Sequence, residues 1–274
     1  RSSKRSLLAP YAVGTVDQAL LGVLQTRHSF VRLFALANKV VVLDEVHAYD
    51  TYTSEHLMHL LRWLGRMGCS VVILTATLPD NRRRKLLEAY TGRRPPDDLG
   101  PYPRMVVASP DGYEPAEAVQ GAPERTVLLE PTARKPAALA RALSDALADG
   151  GCAAVICNTV GRAQDVYRAL RASDWTGQLR LLHARFPFAQ RQSIEEAVVQ
   201  AFGKEGWRKG RPKRAILVAT QIIEQSLDLD FDLMVTDLAP VDLILQRAGR
   251  LHRHAEVDGK PTERPAGLQR PRLW

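Results

Sequence analysis

The sequence predicts an α/β protein with parallel β-sheets, arranged in two domains. In the second half of the chain, short apolar runs alternate regularly with helical segments, and this alternation is typical of βα units. In the first half, apolar runs at residues 40–43 and 70–74 have the character of buried parallel strands, and polar residues follow each run directly. A length of 274 residues suffices for two domains of ordinary size.

Composition and charge narrow the class of protein. The content of 45% hydrophobic and 25% charged residues is typical of a soluble globular protein, and no apolar run is long enough to cross a bilayer, so no membrane partner is expected. Cys69, Cys152 and Cys157 lie in or beside apolar runs, which indicates reduced, packed thiols and a cytoplasmic protein. A formal net charge of +8 favours an acidic partner such as nucleic acid.

The first domain is predicted to occupy residues 1–110. Near its start, a short strand turns at Gly14 and Thr15 into a helix. Backbone N–H groups at such a turn can contact a phosphate, although a capped helix without a ligand is the better explanation from this segment alone. Residues 51–67 carry apolar side chains at helical spacing, and residues 81–90 are predicted to form a basic helix.

Two adjacent acids, Asp44 and Glu45, follow the first apolar strand. Burying unpaired charge is expensive, so packing does not explain them. At the carboxyl ends of parallel strands, where ligands bind, one acid can hold Mg²⁺ and the next can orient a water that attacks a phosphate. The alternative is a helix that begins with acids. The second strand ends in Thr75 and Thr77, which could hydrogen-bond the acids or simply terminate the strand.

A stretch rich in Pro, Gly, Asp and Glu separates the two halves, and we predict a linker at residues 111–125 and a second domain at residues 126–274. Right-handed crossovers would place the loops that follow its strands along one edge of the sheet. The predicted strands lie at residues 126–130, 153–157, 179–183, 215–219 and 233–236. The predicted helices lie at residues 134–149, 162–172, 187–202 and 241–248.

Two polar stretches of the second domain carry a chemical pattern. In residues 218–230, a strand ends in Thr220 and an acid-containing turn follows. In residues 246–253, Arg250 and Arg253 are three positions apart, hence on one face if the segment is helical. Two arginines that point the same way can neutralise the charge that develops on a γ-phosphoryl group. A basic surface helix is the alternative interpretation.

Together these stretches resemble motifs II, III, V and VI of superfamily 2 helicases, in the order typical of that superfamily. The matching stretches are Asp-Glu-Val-His at 44–47, Thr-Ala-Thr at 75–77, residues 220–230 and residues 246–253. Within the superfamily, Asp-Glu-Val-His-Ala-Tyr-Asp, Val-Gly-Thr-Val-Asp-Gln and Thr-Gln-Ile-Ile-Glu-Gln-Ser-Leu-Asp resemble the helicase–nuclease of type I CRISPR interference, over essentially the whole chain. The resemblance implies two RecA-like parallel-sheet domains, the first only partly present.

The resemblance also implies roles at ATP. Asp44 would hold the Mg²⁺ bound to ATP, and Glu45 would position the attacking water. Arg250 and Arg253 would act as arginine fingers. The other implied residues are Gln246, Gly249 and Asp228 for nucleotide binding, and His47, Thr75 and Thr77 for coupling the nucleotide state to domain motion.

The same resemblance implies that the protein binds single-stranded DNA along a defined path and that it has a macromolecular partner. The family is recruited by the Cascade surveillance complex, which carries a crRNA-guided R-loop, and it degrades the displaced strand in the prokaryotic cytoplasm. The implied DNA contacts are Gly14, Thr15, Asn158, Thr159, Arg185, Thr220 and Gln225.

Two parts of the family pattern do not occur in this sequence. It contains neither a Gly-x-x-x-x-Gly-Lys-Ser/Thr phosphate loop nor the His-Asp dipeptide of the nuclease domain, where transition metals would bind. We therefore interpret the chain as an internal piece of a helicase region that hydrolyses little or no ATP alone. The alternatives are a DEAH-type RNA helicase, a duplex translocase, or a non-catalytic nucleic-acid-binding piece, which the aromatic and basic loop at residues 207–214 would suit.

Overall fold

The computed structural model describes residues 7–46, 49, 51–75, 78–100, 104–115, 125–224 and 227–274. The chain divides into two compact units, unit 1 (Arg1–Pro123) and unit 2 (Glu124–Trp274). Each unit has its own hydrophobic core, since every core cluster draws its buried side chains from one unit.

Unit 1 is built on two parallel strands joined by a helix. Helices α1 (Val16–Leu20) and α2 (Ser29–Leu36) come first. Strand β1 (Val41–Leu43) then pairs in parallel with strand β2 (Val71–Ile73), and helix α3 (Thr51–Arg66) connects them. The strands predicted at residues 40–43 and 70–74 and the predicted α3 are therefore present, and their parallel pairing is confirmed. The short strand predicted before Gly14 is wrong, because residues 7–15 form turns and irregular structure.

The core of unit 1 lies on one face of the β1–β2 sheet. Val41 and Leu43 are buried, whereas Val42, which points to the opposite face, is 57% exposed, as the two-residue period of a strand requires. Helix α3 covers the buried face with apolar side chains at helical spacing. Its fully buried residues are Leu57, Leu60, Leu61 and Leu64.

After β2, unit 1 continues with a helix and a hairpin. Helix α4 (Asp80–Thr91) is the predicted basic helix. Strands β3 (Val106–Ser109) and β4 (Gly112–Pro115) then pair in antiparallel register, so that the first residues of the predicted linker at 111–125 form a turn and a strand. Residues 116–124 of that linker lie outside the described residues.

Unit 2 contains one sheet of six strands. They are β5 (Leu128–Leu129), β6 (Gly151–Ile156), β7 (Gln178–Leu182), β8 (Arg214–Ala219), β9 (Leu233–Thr236) and β12 (Arg272–Leu273). Their spatial order is β5-β12-β9-β6-β8-β7, and every pairing is parallel, which confirms the predicted fold class. The helices are α5 (Pro136–Ala146), α6 (Val160–Arg171), α7 (Phe188–Phe202), α8 (Lys204–Lys209) and α9 (Val241–Ala248).

Both faces of this sheet are covered. Along β6, Ala153 and Val155 pack with α5 and α6, while Cys152, Ala154 and Ile156 pack on the opposite face with α7. Such a strand is apolar at every position because neither face meets water. This is why a continuous apolar run was a sound indication of a central parallel strand.

Several short elements of unit 2 were not predicted. Helix α8 overlaps the first residues of the predicted loop at 207–214. Gly206, inside this helix, weakens the helical pattern of the sequence. A 3₁₀ turn (Gln221–Glu224) follows β8, and a hairpin of β10 (Glu256–Val257) and β11 (Lys260–Pro261) follows α9. Elements of two to four residues have no periodicity to detect. In the described part of the chain, no helix has both the length and the apolar character needed to span a bilayer.

Candidate functional site

In unit 1, the two acids and Thr75 lie at the same edge of the β1–β2 sheet. Asp44 and Glu45 follow β1 directly, and Thr75 lies two residues beyond the end of β2. The amide of Leu74 donates over 2.9 Å to the carbonyl of Leu43, the last residue of β1, which extends the parallel pairing one residue past the end of β2. Because parallel strands end on the same side, Thr75 and both acids come together at this carboxyl edge, where both acids are exposed.

The backbone of Glu45 is in the left-handed region, with φ at 54°. This conformation is uncommon for a residue with a side chain and costs on the order of 1 kcal/mol. Asp44 stabilises the turn, because its Oδ1 accepts a hydrogen bond of 3.0 Å from the amide of Glu45. Backbone strain of this kind concentrates at functional sites.

Arg82 holds the segment that follows the acids. From α4, its guanidinium donates to the carbonyls of Val46 and Tyr49 over 3.1 and 3.0 Å, and to Ser54 Oγ over 2.6 Å. The Tyr49 hydroxyl in turn donates to the carbonyl of Asp44. Burial and then the charges of Asp44 and Asp17 raise the pKa of Tyr49. The sequence pattern around Arg82 indicated only a basic helix, because the partners of Arg82 are 28 to 36 residues away in the chain.

Four predicted residues of unit 1 cannot be placed near these acids. His47 and Thr77 lie outside the described residues. Gly14 and Thr15 are exposed at the start of the five-residue helix α1, and the Thr15 side chain makes no capping hydrogen bond. A role for Gly14 and Thr15 at DNA therefore remains a prediction from the resemblance.

In unit 2, most of the predicted DNA contacts follow strand ends along the carboxyl edge of the sheet. Asn158 and Thr159 follow β6, Thr220 follows β8, and Arg185 lies three residues after β7. Thr159 caps α6, where its hydroxyl accepts from the amide of Arg162 over 3.2 Å. Thr220 is buried and its amide donates to the carbonyl of Leu182, whereas Arg185 is exposed.

Asn158 is bound into the protein on several sides. Its amide donates to Asp237 Oδ2 over 2.9 Å, and its side-chain nitrogen donates to the carbonyl of Leu238 over 2.7 Å. The side chain of Gln221 donates to the Asn158 carbonyl over 3.2 Å. Gln225, the remaining DNA contact that the resemblance implies, lies outside the described residues.

Arg250 and Arg253 do not share a helix face, because α9 ends at Ala248. Beyond it, the carbonyl of Arg250 accepts from the amide of Phe231 over 2.9 Å, and Leu251 bridges to Phe231 in parallel. Burial of Leu251 against the sheet makes this extended path favourable. Of the predicted nucleotide residues, Gln246 lies in the last turn of α9 and Gly249 caps the helix.

The two predicted arginine fingers have different partners. Arg250 is only 7% exposed and donates to the carbonyls of Ile223 and Glu224 over 3.0 and 2.6 Å. Arg253 donates to Asp228 Oδ1 over 2.5 Å, and His254 lies 3.1 Å from the other Asp228 oxygen. Although burial of Asp228 acts to raise its pKa, the bonds from Arg253 and His254 dominate and lower it.

Arg247 was not singled out from the sequence, yet it is the most deeply buried arginine of the segment. Its side chain is fully buried and forms an ion pair of 2.6 Å with Glu224. It also donates to Thr236 Oγ1 over 2.5 Å and to the carbonyl of Asp237 over 3.1 Å. A buried guanidinium is tolerated only with such partners, so Arg247 joins α9 to the ends of β8 and β9.

The basic loop at 207–214 is largely neutralised within the protein. Arg208 pairs with Asp258 over 2.6 Å. Arg211 lies over the Trp207 ring at 4.4 Å and pairs with the buried Asp230 and with Asp232. These internal partners do not favour the interpretation of the loop as a surface that stacks single-stranded nucleic acid.

Comparisons with known protein families, sequences and structures all find proteins named Cas3. A family described as CRISPR-associated nuclease/helicase Cas3, C-terminal, matches residues 149–256. The CRISPR-associated endonuclease/helicase Cas3 of Thermus thermophilus is 48% identical over 98% of this chain and 32% of its own length. The chain therefore spans about a third of the length of this relative.

Solved structures agree with these sequence relatives. The crystal structure of T. fusca Cas3-ADP matches 99% of this chain and 34% of that chain, with 42% identity and a TM-score of 0.88. A chain in a structure named CRISPR RNA-guided surveillance complex, pre-nicking, matches 99% of this chain and 35% of its own length, with 41% identity and a TM-score of 0.84.

Proposed function

The chain belongs to the Cas3 family, and we propose that it forms part of the helicase region of an ATP-dependent single-stranded DNA translocase. The observation that carries this proposal is the 48% identity to a protein named as an endonuclease/helicase, over 98% of the chain. The RNA helicase, duplex translocase and non-catalytic alternatives are not favoured, because the sequence relatives that match nearly the whole chain are named as Cas3 proteins.

We propose that the two acids of unit 1, Asp44 and Glu45, act on ATP and its bound Mg²⁺. Asp44 and Glu45 are exposed carboxylates at a strand end, and carboxylate oxygens are the ligands that Mg²⁺ prefers, so the residues fit the ion. Asp44 would hold it, and the bound ion would neutralise charge on the phosphates. Glu45, in its left-handed backbone conformation at the strand end, positions and deprotonates the attacking water.

The arginine segment of unit 2 supplies positive charge for the departing phosphate. Arg253 is about half exposed and bound to Asp228, so it reaches a phosphate by exchanging one anionic partner for another. Arg250 acts from a more buried position. The residues assigned to nucleotide binding are Gln246, Gly249 and Asp228, and those assigned to coupling are His47, Thr75 and Thr77.

We propose that single-stranded DNA binds along the carboxyl edge of the unit 2 sheet. Gly14 and Thr15 would be further contacts in unit 1. One similar chain belongs to an RNA-guided surveillance complex, which supports recruitment of the full-length protein by such a complex in the prokaryotic cytoplasm. The DNA contacts assigned in unit 2 are Asn158, Thr159, Arg185, Thr220 and Gln225.

ATP turnover with and without single-stranded DNA tests this function. The 274-residue chain has no Gly-x-x-x-x-Gly-Lys-Ser/Thr loop, so we expect little or no turnover from it alone. The full-length protein should show turnover that single-stranded DNA stimulates, and Glu45→Gln should lower that turnover by at least about a hundredfold.

Glu55→Gln is the matched control, because Glu55 is an exposed acid on α3 away from the strand end. It should leave turnover within about twofold of the wild type. Robust turnover by the 274-residue chain, or stimulation by RNA in preference to DNA, would contradict the proposal.

A further inference from the structure

A closed ring of hydrogen bonds links the ends of β6, β8 and β9 to helix α9 in unit 2. Arg247 forms one side of it, joining the carboxylate of Glu224 to Thr236 and to the carbonyl of Asp237. Glu224 ends the 3₁₀ turn that starts at Gln221, so this side reaches the segment after β8.

Asp237 forms the opposite side of the ring. Its Oδ2 accepts from the amide of Asn158 over 2.9 Å, and its Oδ1 accepts from Arg162 Nε over 2.6 Å. Its amide donates to the carbonyl of Ile156 over 2.9 Å. The bond from Gln221 Nε2 to the Asn158 carbonyl closes the ring.

Most groups in the ring cannot move without breaking a buried hydrogen bond or ion pair. Arg247 is fully buried and Glu224 is nearly so, and separating a buried ion pair leaves a charge without solvent. Hydrogen bonds in such a network also strengthen one another. A shift of the arginine segment is therefore transmitted to the turn after β8 and, through Asp237, to Asn158.

We propose that Asp237 is a positioning residue that couples the arginine segment to the DNA-contacting turn at Asn158 and Thr159. Its side chain is bonded to the Asn158 amide and to Arg162, and it acts through these two residues. This inference rests on the proposed function, because it assigns a coupling role to a network whose two ends bind ATP and single-stranded DNA. No motif of the sequence analysis included Asp237.

The test compares Asp237→Asn with the wild type in the full-length protein. The asparagine keeps the size of the side chain and an oxygen acceptor for the Asn158 amide, but loses the ion pair with Arg162. We expect the factor by which single-stranded DNA stimulates ATP turnover to fall about tenfold. Amide hydrogen exchange should become at least about tenfold faster both at residues 158–162 and, across the ring, at residues 221–224.

Two further variants keep the test decisive. Gln221→Ala removes the bond that closes the ring from an exposed position, so it should fold normally and reduce the stimulation factor in the same direction. Asp165→Asn breaks an exposed ion pair with Arg168 on α6 and should change neither readout.

The outcomes separate the inference from the proposed function. A wild-type protein without DNA-stimulated turnover overturns the proposed function, and with it the coupling role. If the wild type is stimulated but Asp237→Asn and Gln221→Ala keep the full stimulation factor, only the inference fails. The inference also fails if exchange at residues 221–224 is unchanged in Asp237→Asn.

Discussion

Arg247, Arg250 and Arg253 lie close together in the sequence but occupy three different environments. Arg247 is fully buried against Glu224, Arg250 binds backbone carbonyls, and Arg253 lies about half exposed beside Asp228. Burial determines the energetic consequence of losing a partner, because water can replace a lost bond only at an exposed site. Arg253 is therefore the arginine of this group that can exchange its partner for a ligand at the lowest cost.

His252 makes the stability of unit 2 depend on pH. Burial, and then the charge of Arg264, lower the pKa of His252 to about 4, although Asp232 and Asp230 oppose the effect. An unfolded histidine has a pKa of about 6.5. Between these values the unfolded chain binds more protons, so the stability is fully present above about pH 6.5 and is lost as the pH falls toward 4.

We predict that His252→Asn removes this loss. Asparagine tolerates the left-handed backbone of this position, where φ is 48°, and does not titrate. In urea unfolding at pH 7 and 4.5, the free energy of unfolding of the wild type should fall by about 1–3 kcal/mol more than that of the variant. His59→Asn, at an exposed site on α3, should follow the wild type. Parallel pH profiles for the wild type and His252→Asn would contradict the assignment.

At the scale of elements, α3 and α4 of unit 1 approach most closely at Gly65. A Cβ atom at this position would lie 2.2 Å from the carbonyl oxygen of Tyr90, which belongs to the backbone of α4 and cannot rotate away. The Tyr90 hydroxyl also donates over 2.8 Å to the carbonyl of Cys69, three residues beyond the end of α3. The absence of a side chain at Gly65 thus permits the packing that places Arg82 against the segment after the acids.

We predict that Gly65→Ala destabilises unit 1 by about 2 kcal/mol, because the helices must separate to admit the methyl group. Gly161→Ala is the control. Gly161 lies in α6 with open space around its Cα, so alanine there should be neutral or stabilise by up to about 1 kcal/mol. Thermal unfolding followed by circular dichroism measures both changes. An equal effect of the two variants would show that helix propensity, not the close approach, governs Gly65.

At the scale of the whole molecule, the two units differ in how completely their sheets are covered. The unit 2 sheet has a buried cluster on each face. In unit 1, Val42, Val72 and Leu74 on one side of the strands are 57%, 41% and 48% exposed. Stability follows the apolar area removed from water, so unit 2 should be the more stable unit.

We therefore predict that Glu124–Trp274 folds when produced alone. Its urea unfolding should be one cooperative transition, with the same midpoint by circular dichroism and by the fluorescence of its tryptophans. Leu143→Ala, which removes a fully buried side chain, should lower the free energy of unfolding by about 2–5 kcal/mol and move both signals together. Two separate midpoints for the unsubstituted unit would contradict its independence.

The net charge of the sequence overstates the positive charge that the folded molecule can offer to a partner, because several arginines are paired inside the protein. The formal charge of +8 favoured nucleic acid as a partner. In the structure, Arg211 and Arg264 pair with Asp230 and Asp232 inside unit 2. The candidate phosphate contacts are thus the exposed cations at the carboxyl edge, such as Arg185, rather than the densest basic stretch.

The sequence by itself determined the type and order of the main elements and the polar residues that follow each strand. The strand at 233–236 and the helix at 241–248 were predicted with their exact bounds, because a buried parallel strand is a continuous apolar run and a helix with one buried face carries apolar residues at helical spacing. The acids at 44–45 were likewise recognisable from their position directly after an apolar strand.

Only the tertiary structure decided the order of the strands, the extended path of the residues after α9 against Phe231, and which charges pair. Asp237 binds Arg162 across 75 positions of the chain, and Arg247 binds Glu224 across 23. Neither partner is marked by local pattern, because a side chain's partner depends on which strands become neighbours and not on the residues beside it in the chain. Residue identities and their spacing were therefore enough to predict phosphate chemistry. Long-range packing determined which of the charged side chains are exposed and which are bound to partners inside the protein.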